Sequence, residues 1–594
     1  MIFGKHINRY YLRFLPMLLL GTLALVAVDL FQLKIPELYR MLINAASGEE
    51  ILIDDVPVPF DLDFLLDRIC LPMIGILVVM VLGRFLWRIC FYGSAVKMET
   101  DLRGRMFDHS KDLSHAYYQE NKVGTLMSLY TNDLDTIQEC FGDGILMFFD
   151  ALFLGTLAIC KMWRMDPLLT GLSLIPMLFL ILVGAVVGRH MMKKWEVRQA
   201  AFSELSDFSQ ESFSGISVIK AFAKETKELL AFKRLNRKNE DANVEYTKAS
   251  TLLNILVTLF VESVICVIFG YGGYLVYTDA FNAGELMEYI GYFNAIVWPI
   301  MAISMLIEQS ARGKASLLRV SELLDAPVTV TDAEGALPLL SPRGEIELRD
   351  LTFRYPGAEV DALSHVSFRI SAGERVGIVG KTGAGKTTLV DLLLRLYAVP
   401  NGTVFIDGRD VNTLTIRSVR DACAYVPQDN FLFSESIAKN ISFSVGAPSM
   451  AEVEEAARLA DVDGNIREFK EGYETVLGER GVTVSGGQKQ RISIARALMK
   501  DAAILILDDA VSAVDSRTEK VITENLSACR EGRTTVMIAH RISTVEHLDK
   551  ILFLEEGVLR DIGRHEELYA RCDAYRRMVD LQRLESENGG EADV

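Results

Sequence analysis

At 594 residues the chain is too long for a single hydrophobic core and implies roughly two or three domains. Half of its residues (50%) are hydrophobic and its mean hydropathy of +0.22 is high for a soluble protein, with the apolar residues concentrated before about residue 306. A formal net charge of −17 with no strongly basic domain argues against nucleic acid as a partner, since phosphate contacts need clustered Lys and Arg. The eight cysteines are scattered without metal-like pairing, so neither a disulfide framework nor a zinc site is expected.

The chain opens on a basic segment and an apolar run, "MIFGKHINRYYLRFLPMLLLGTLALVAVDLFQL". No small-residue cleavage site follows and further apolar spans come after it, so it is read as a membrane helix and not as a signal peptide. Six spans are drawn at 12–34, 69–92, 141–163, 168–190, 251–277 and 286–306, each near the roughly 20 residues that cross a bilayer. The segments after the second and fourth spans are long and rich in Lys and Arg ("RHMMKKWEVRQ", "KETKELLAFKRLNRK"), which assigns them to the cytoplasm. The acidic "SGEEILIDDVPVPFDLD" belongs outside. Both termini then face the cytoplasm, and a bacterial plasma membrane is the default location. Asp29, Arg84, Asp150 and Glu262 fall within the spans. Such residues either line a substrate path or sit near the interface or paired to a neighbouring helix, and Glu262 is the leading substrate-path candidate.

After a Pro-bearing linker, "DAPVTVTDAEGALPLLSPRG", the alternation in "EIELRDLTFRY" predicts a strand. "RVGIV" reads as a buried strand, "GKTGAGKT" matches G-x-x-x-x-G-K-[ST], and "TLVDLLLRL" has helical periodicity. That order suits a phosphate loop. Glycines let backbone N–H groups wrap the phosphates, Lys386 reaches the β and γ phosphates, and the Thr387 hydroxyl can hold Mg²⁺.

Four further motifs make a resemblance specific. "VSGGQKQR" (484–491), "ILILDD", "SAVD" and the "AHR" around His540 stand in the order and spacing of an ATP-binding cassette. The chain resembles an ABC half-transporter of the exporter type (type IV). The fold this implies is an α-helical membrane domain of six transmembrane helices (1–324, with two cytoplasmic coupling loops), a linker (325–344), and an α/β P-loop nucleotide-binding domain with an ABC helical subdomain (345–583). A polar, disordered tail (584–594) is expected to follow. "GTLMSLYTNDLDTI" and "ESFSGISVIKAFAKE" resemble the two coupling regions of that family, the second of which docks on a partner's cassette, so a dimer is implied.

The resemblance also implies roles. ATP would be held by Gly380, Lys381, Thr382, Gly383, Ala384, Gly385, Lys386, Thr387 and Thr388, with Tyr355 stacked on adenine. Thr387, Gln428 and Asp508 would hold Mg²⁺, while Gln428 and His540 would reach the attacking water and the γ-phosphate. Ser485, Gly486, Gly487 and Gln488 would face the partner's ATP, and "GERG" (478–481) would sense the partner's coupling helix.

One position departs from the family. The residue after the Walker B aspartate is usually Glu, acting on the attacking water, and here it is Asp509. Asp has a similar acidity but is one methylene shorter, and a misplacement of about 1 Å can cost on the order of 100-fold in rate. With an intact signature, this pattern resembles the degenerate half of a heterodimeric multidrug-like exporter, whose signature completes the partner's competent site. A homodimer with a working Asp509, an ATP-gated regulatory or channel-like protein, and an importer of the same architecture stay open. The transported substrate, whether drug, lipid or peptide, is not legible, although no protease-like domain precedes the first span.

Overall fold

In hydrocarbon a backbone must satisfy its own hydrogen bonds, and apolar runs of this length do so as helices. A computed structural model describes residues 3–48, 51–53, 56–58, 60–446, 448–478, 481 and 484–589. It divides into two compact units, residues 1–108 with 126–325, and residues 109–125 with 326–594.

The first unit is built from long helices, chiefly Leu15–Gln32, Leu71–Asp112, Leu134–Met165, Pro167–Ser214, Glu225–Val267 and Ala283–Asp325. Proline marks the start of some of them, as at Pro167, where the Asp166 carboxylate caps by accepting from the Leu169 N–H at 2.6 Å. The helix Ala283–Asp325 has 43 residues and is therefore about 65 Å long, twice the roughly 30 Å of bilayer hydrocarbon. Among the described residues, five helical stretches are long and apolar enough to cross a membrane: Leu15–Ala46, Leu62–Asp112, Val123–Met165, Glu225–Tyr277 and Ala283–Asp325. The remaining expected span, 168–190, lies within helix Pro167–Ser214. There the apolar stretch Pro167–Phe179 is short, and several side chains beyond it are outside the described residues. Leu77, Val81, Leu82 and Phe85 point outward, as a lipid-facing stripe requires, while Tyr289, Tyr292 and Phe293 fill the interior against Leu154, Ala158 and Met162.

The second unit holds a six-stranded sheet in the order Val558–Gly563, Lys550–Glu555, Arg375–Val379, Thr534–Ile538, Ile504–Asp508, Cys423–Val426. Its last five strands are mutually parallel and the first is antiparallel. Strands buried on both faces must be apolar throughout, and Ile504–Asp508 is buried at every position. One side packs on a helical layer (Ile437, Val453, Ile466, Ile492) and the other on an antiparallel sheet of Leu363–Ile370, Ile346–Phe353, Val404–Ile406 and Arg409–Asp410.

Two expectations need amending. The expected disordered tail begins inside helix Asp573–Gly589, which carries the chain past residue 584 because Tyr575 and Val579 bury against the sheet; 590–594 lie outside the described residues. Of the expected linker 325–344, Asp325 still ends helix Ala283–Asp325, and 326–344 has no helix or strand of its own, yet it is stitched down. Leu337 pairs with Thr413 and Thr415, Arg395 donates to the Thr331 carbonyl at 3.0 Å, and Asp332 accepts from the Ile416 N–H at 2.6 Å.

Candidate nucleotide site

Parallel register brings the site residues to one edge of the sheet. Ile538 pairs with Ile378 and with Asp508, and Leu507 pairs with Val426. The residues just past those strand ends, Gly380, Asp509, His540 and Gln428, therefore leave the same carboxyl edge, where open α/β sheets bind ligands.

The phosphate loop runs from Gly380 into helix Lys386–Leu393. Its glycines are there for backbone reasons. Gly385 has φ of +94°, and a Cβ there would stand 2.7 Å from Leu363 and 2.8 Å from the Ala362 carbonyl; a Cβ on Gly380 would run into the Leu554 carbonyl. Lys381, Thr382 and Gly383 are exposed, whereas Ala384 is buried. The Lys386 ammonium is buried and donates to the Gly380 and Lys381 carbonyls at 2.8 and 3.1 Å. Burial lowers its pKa, and Asp508 and Asp509 oppose that shift.

Asp508 ends its strand 1% exposed, and among the described residues its Oδ2 has no hydrogen-bond partner. Burial raises its pKa, the Thr387 hydroxyl bond lowers it, and Asp509 raises it further. An orphaned buried carboxylate oxygen beside a threonine hydroxyl is an oxygen donor set suited to a hard divalent cation such as Mg²⁺. Asp509 is half-buried and sits at φ +50°, a left-handed conformation that Asp tolerates better than most residues. Its backbone is clamped: its N–H donates to the Ile538 carbonyl at 2.9 Å, and its carbonyl accepts from Gln490 at 3.2 Å and Ser512 at 2.9 Å. Among the described residues its carboxylate makes no hydrogen bond or ion pair.

Tyr355 shares a 2.8 Å hydrogen bond with Thr388 and meets Phe353 and Tyr397 edge to face. Gln428 is exposed on its loop, and His540 is half-buried just past its strand. Ser485 caps helix Gly486–Met499 through a capping box with Gln488: the Gln488 N–H donates to the serine hydroxyl at 3.3 Å and its Oε1 accepts from the Ser485 N–H at 3.0 Å. Gln488 is thus committed locally, leaving Ser485 and the N–H groups of Gly486 and Gly487 as the exposed anion-seeking end. Glu479 and Arg480 lie outside the described residues.

Comparison with known proteins agrees with this geometry. Residues 18–300 match the model described as the ABC transporter transmembrane region, and 363–512 match the model described as ABC transporter. The chain is 36% identical over 508 residues to the probable multidrug resistance ABC transporter ATP-binding/permease protein YheI of Bacillus subtilis, covering 85% of this chain and 87% of that one. The chain belongs to the ABC transporters. It is also 33% identical to the multidrug resistance-like ATP-binding protein MdlA of Escherichia coli, over 86% of this chain and 87% of that one. The solved structure of a bacterial Atm1-family ABC exporter with ATP bound matches with a TM-score of 0.74 and 27% identity, over 97% of this chain and 98% of that one. This transporter is accordingly a multi-pass membrane protein with the exporter fold, and its ATPase domain drives transport.

Some side chains shape the transporter's site in ways the motifs do not state, among them Gln490, within "VSGGQKQR", and Gln582, outside every motif. Gln490, 5% exposed, also accepts from the Ala513 N–H at 2.9 Å, so one side chain ties the loop after Asp509 at two points. Gln582 spans the loop at His540, donating to the His540 carbonyl at 2.6 Å and accepting from the Ile542 N–H at 2.9 Å. In the membrane unit, Asp29 and Asp150 are buried and close enough for their carboxyls to hydrogen-bond. The Trp298 indole donates to Asp150 at 2.6 Å, and Arg84 donates to Gln32 at 3.3 Å. These acids are paired inside the bundle. Glu262 is exposed and, among the described residues, makes no hydrogen bond or ion pair, so it alone of the three acids has a carboxylate without a described partner. A further buried network, Glu288 with Tyr292 (2.6 Å) and Arg40 (2.9 Å), lies on residues outside the expected list.

Proposed function

We propose that this chain is one half of a heterodimeric ABC exporter of hydrophobic or amphipathic substrates, in which its own nucleotide site binds ATP firmly and hydrolyses it slowly. The observation that carries the reading is Asp509: a side chain one methylene short of Glu, on a backbone held by bonds to Ile538, Gln490 and Ser512. ATP would lie on the loop Gly380–Thr388, with Tyr355 against adenine and Lys386 turning from the loop carbonyls to the phosphates. Thr387, Gln428 and Asp508 would hold Mg²⁺, whose chemistry is to neutralise charge on the transferring phosphoryl group. Asp509, His540 and Gln428 would act on the attacking water and the γ-phosphate, while Ser485, Gly486 and Gly487 complete the partner's competent site.

Two ATPs would close the paired domains and turn the membrane cavity outward, with both termini cytoplasmic. The experiment is Mg-ATPase activity of this chain alone and with its partner in lipid, each with an Asp509→Asn control. Activity confined to the pair, barely changed by Asp509→Asn and lost when the partner's corresponding Glu becomes Gln, is expected. Strong activity of the chain alone, abolished by Asp509→Asn, would establish a homodimeric pump instead.

A further inference from the structure

The second unit borrows a piece of chain from between the membrane helices, residues 109–125. That piece is held at several points. The His109 ring donates to the Ala326 carbonyl at 2.9 Å, Thr329 donates to the buried Ser114 hydroxyl at 2.9 Å, and Ala116 packs on the core beneath the antiparallel sheet. At its helix His115–Glu120, the His115 ring stands edge-on to Tyr397, with centroids 5.7 Å apart at 87°.

Tyr397 is in turn the neighbour of Tyr355. Their rings meet at 5.2 Å and 81°, and Phe353 closes the group at 5.2 Å from Tyr355 and 5.7 Å from Tyr397. Tyr397 is only 3% exposed, so a close-packed interior forbids it to turn independently of these rings. Among the described residues its hydroxyl has no hydrogen-bond partner, so contact with its neighbours sets its position. Tyr355, by contrast, has a polar alternative: its hydroxyl rests on Thr388, in the helix that follows the phosphate loop. A purine arriving on Tyr355 competes with that arrangement, and any turn of the Tyr355 ring must be taken up by Tyr397.

We propose that Tyr397 is a positioning residue that relays occupancy of the adenine side of the nucleotide site to the helix His115–Glu120, through the ring chain Tyr355–Tyr397–His115. The proposal rests on the reading that Tyr355 stacks on adenine. It gives the base of the nucleotide its own route to the segment joining two membrane helices, separate from the phosphate contacts at the sheet edge. A packed chain of side chains transmits only if one end has two arrangements, and here that end is Tyr355.

Hydrogen–deuterium exchange on the full chain with its partner in lipid nanodiscs tests this, comparing Mg-ATP with Mg-tripolyphosphate, which fills a phosphate loop but has no base. Both ligands should protect 380–388, whereas ATP alone should slow exchange across 109–125, by about threefold or more. In His115→Ala and Tyr397→Leu, ATP should still protect 380–388 while 109–125 no longer responds; Tyr397→Phe, which keeps the ring, should respond as the parent does. Equal slowing of 109–125 by tripolyphosphate, or an unchanged ATP response in His115→Ala, would overturn the relay. Failure of the nucleotide-site reading itself would look different: no ATP protection of 380–388 in the parent chain.

Discussion

Replacing Asp509 by Glu tests whether reach limits this site. The extra methylene adds about 1.5 Å, and since a misplacement of about 1 Å costs on the order of 100-fold, the site's turnover should rise about 10- to 100-fold. The backbone cannot supply that reach by sliding, because it would break the Asp509 N–H bond to Ile538 and strip the Gln490 bond from the Asp509 carbonyl. Each lost bond costs about 1 kcal/mol, and more where the abandoned group stays buried. The substitution carries its own penalty, because at φ +50° Glu is less at home than Asp, and about 1 kcal/mol of domain stability should be lost. The assay is steady-state Mg-ATPase of the pair in lipid with the partner's site silenced by Glu→Gln, so that only this chain's phosphate loop contributes. Turnover of Asp509→Glu within about twofold of the parent would refute the reasoning, because side-chain length would then not limit the step.

Three further outcomes are expected. Asp391, buried on the phosphate-loop helix, has its pKa raised from 3.8 to about 6 by burial and then by Asp508. The folded domain thus holds that proton more tightly than the unfolded chain; the resulting stability is full below about pH 4 and is lost as the pH rises through about 6. Asp391→Asn should flatten that slope in urea titrations of the nucleotide-free protein and gain up to about 3 kcal/mol at pH 7. Gly380→Ala should abolish ATP binding and lower the thermal midpoint, because its methyl meets the Leu554 carbonyl; calorimetric titration with ATP shows it. Gln490→Ala removes the partner of the Ala513 N–H and frees the Asp509 carbonyl, costing about 1 kcal/mol and lowering kcat more than it raises KM for ATP.

The phosphate loop, the apolar strand ending in Asp508 and the signature helix were legible because each is a local pattern: a glycine loop between strand and helix, a run buried on both faces, a capping box. Parallel register then carries such local patterns to a common edge, which is why Gly380, Asp509, His540 and Gln428 all follow strand ends on the same side of the sheet. Gln582 and Tyr397 were not legible, nor were the contacts of Gln490, although it lies within "VSGGQKQR". Each acts on a loop or ring that only the fold brings near, and a glutamine in a helix looks the same whether it faces water or a buried N–H. The membrane spans were readable from hydropathy, but the pairing of Asp29 with Asp150 was not, since distance between helices leaves no trace in either one. The linker's hydrogen bonds were likewise hidden, because Pro-rich, polar chain has the same composition free or pinned.

The second unit is discontinuous along the chain, and this bears on how it comes to be made. Residues 109–125 leave the ribosome well before any strand of the sheet they will pack against, so during synthesis Ala116 waits without its final neighbours while four more long helices are made. The nucleotide-binding domain cannot reach its finished state as a C-terminal piece alone: cut free at residue 326, it keeps its sheet but loses the cover over Tyr397. Insertion of the first membrane helices is therefore a precondition for a complete nucleotide-binding domain, and a chain that misinserts there carries the defect to its far end as an unfinished wall, a mark by which quality control could recognise it.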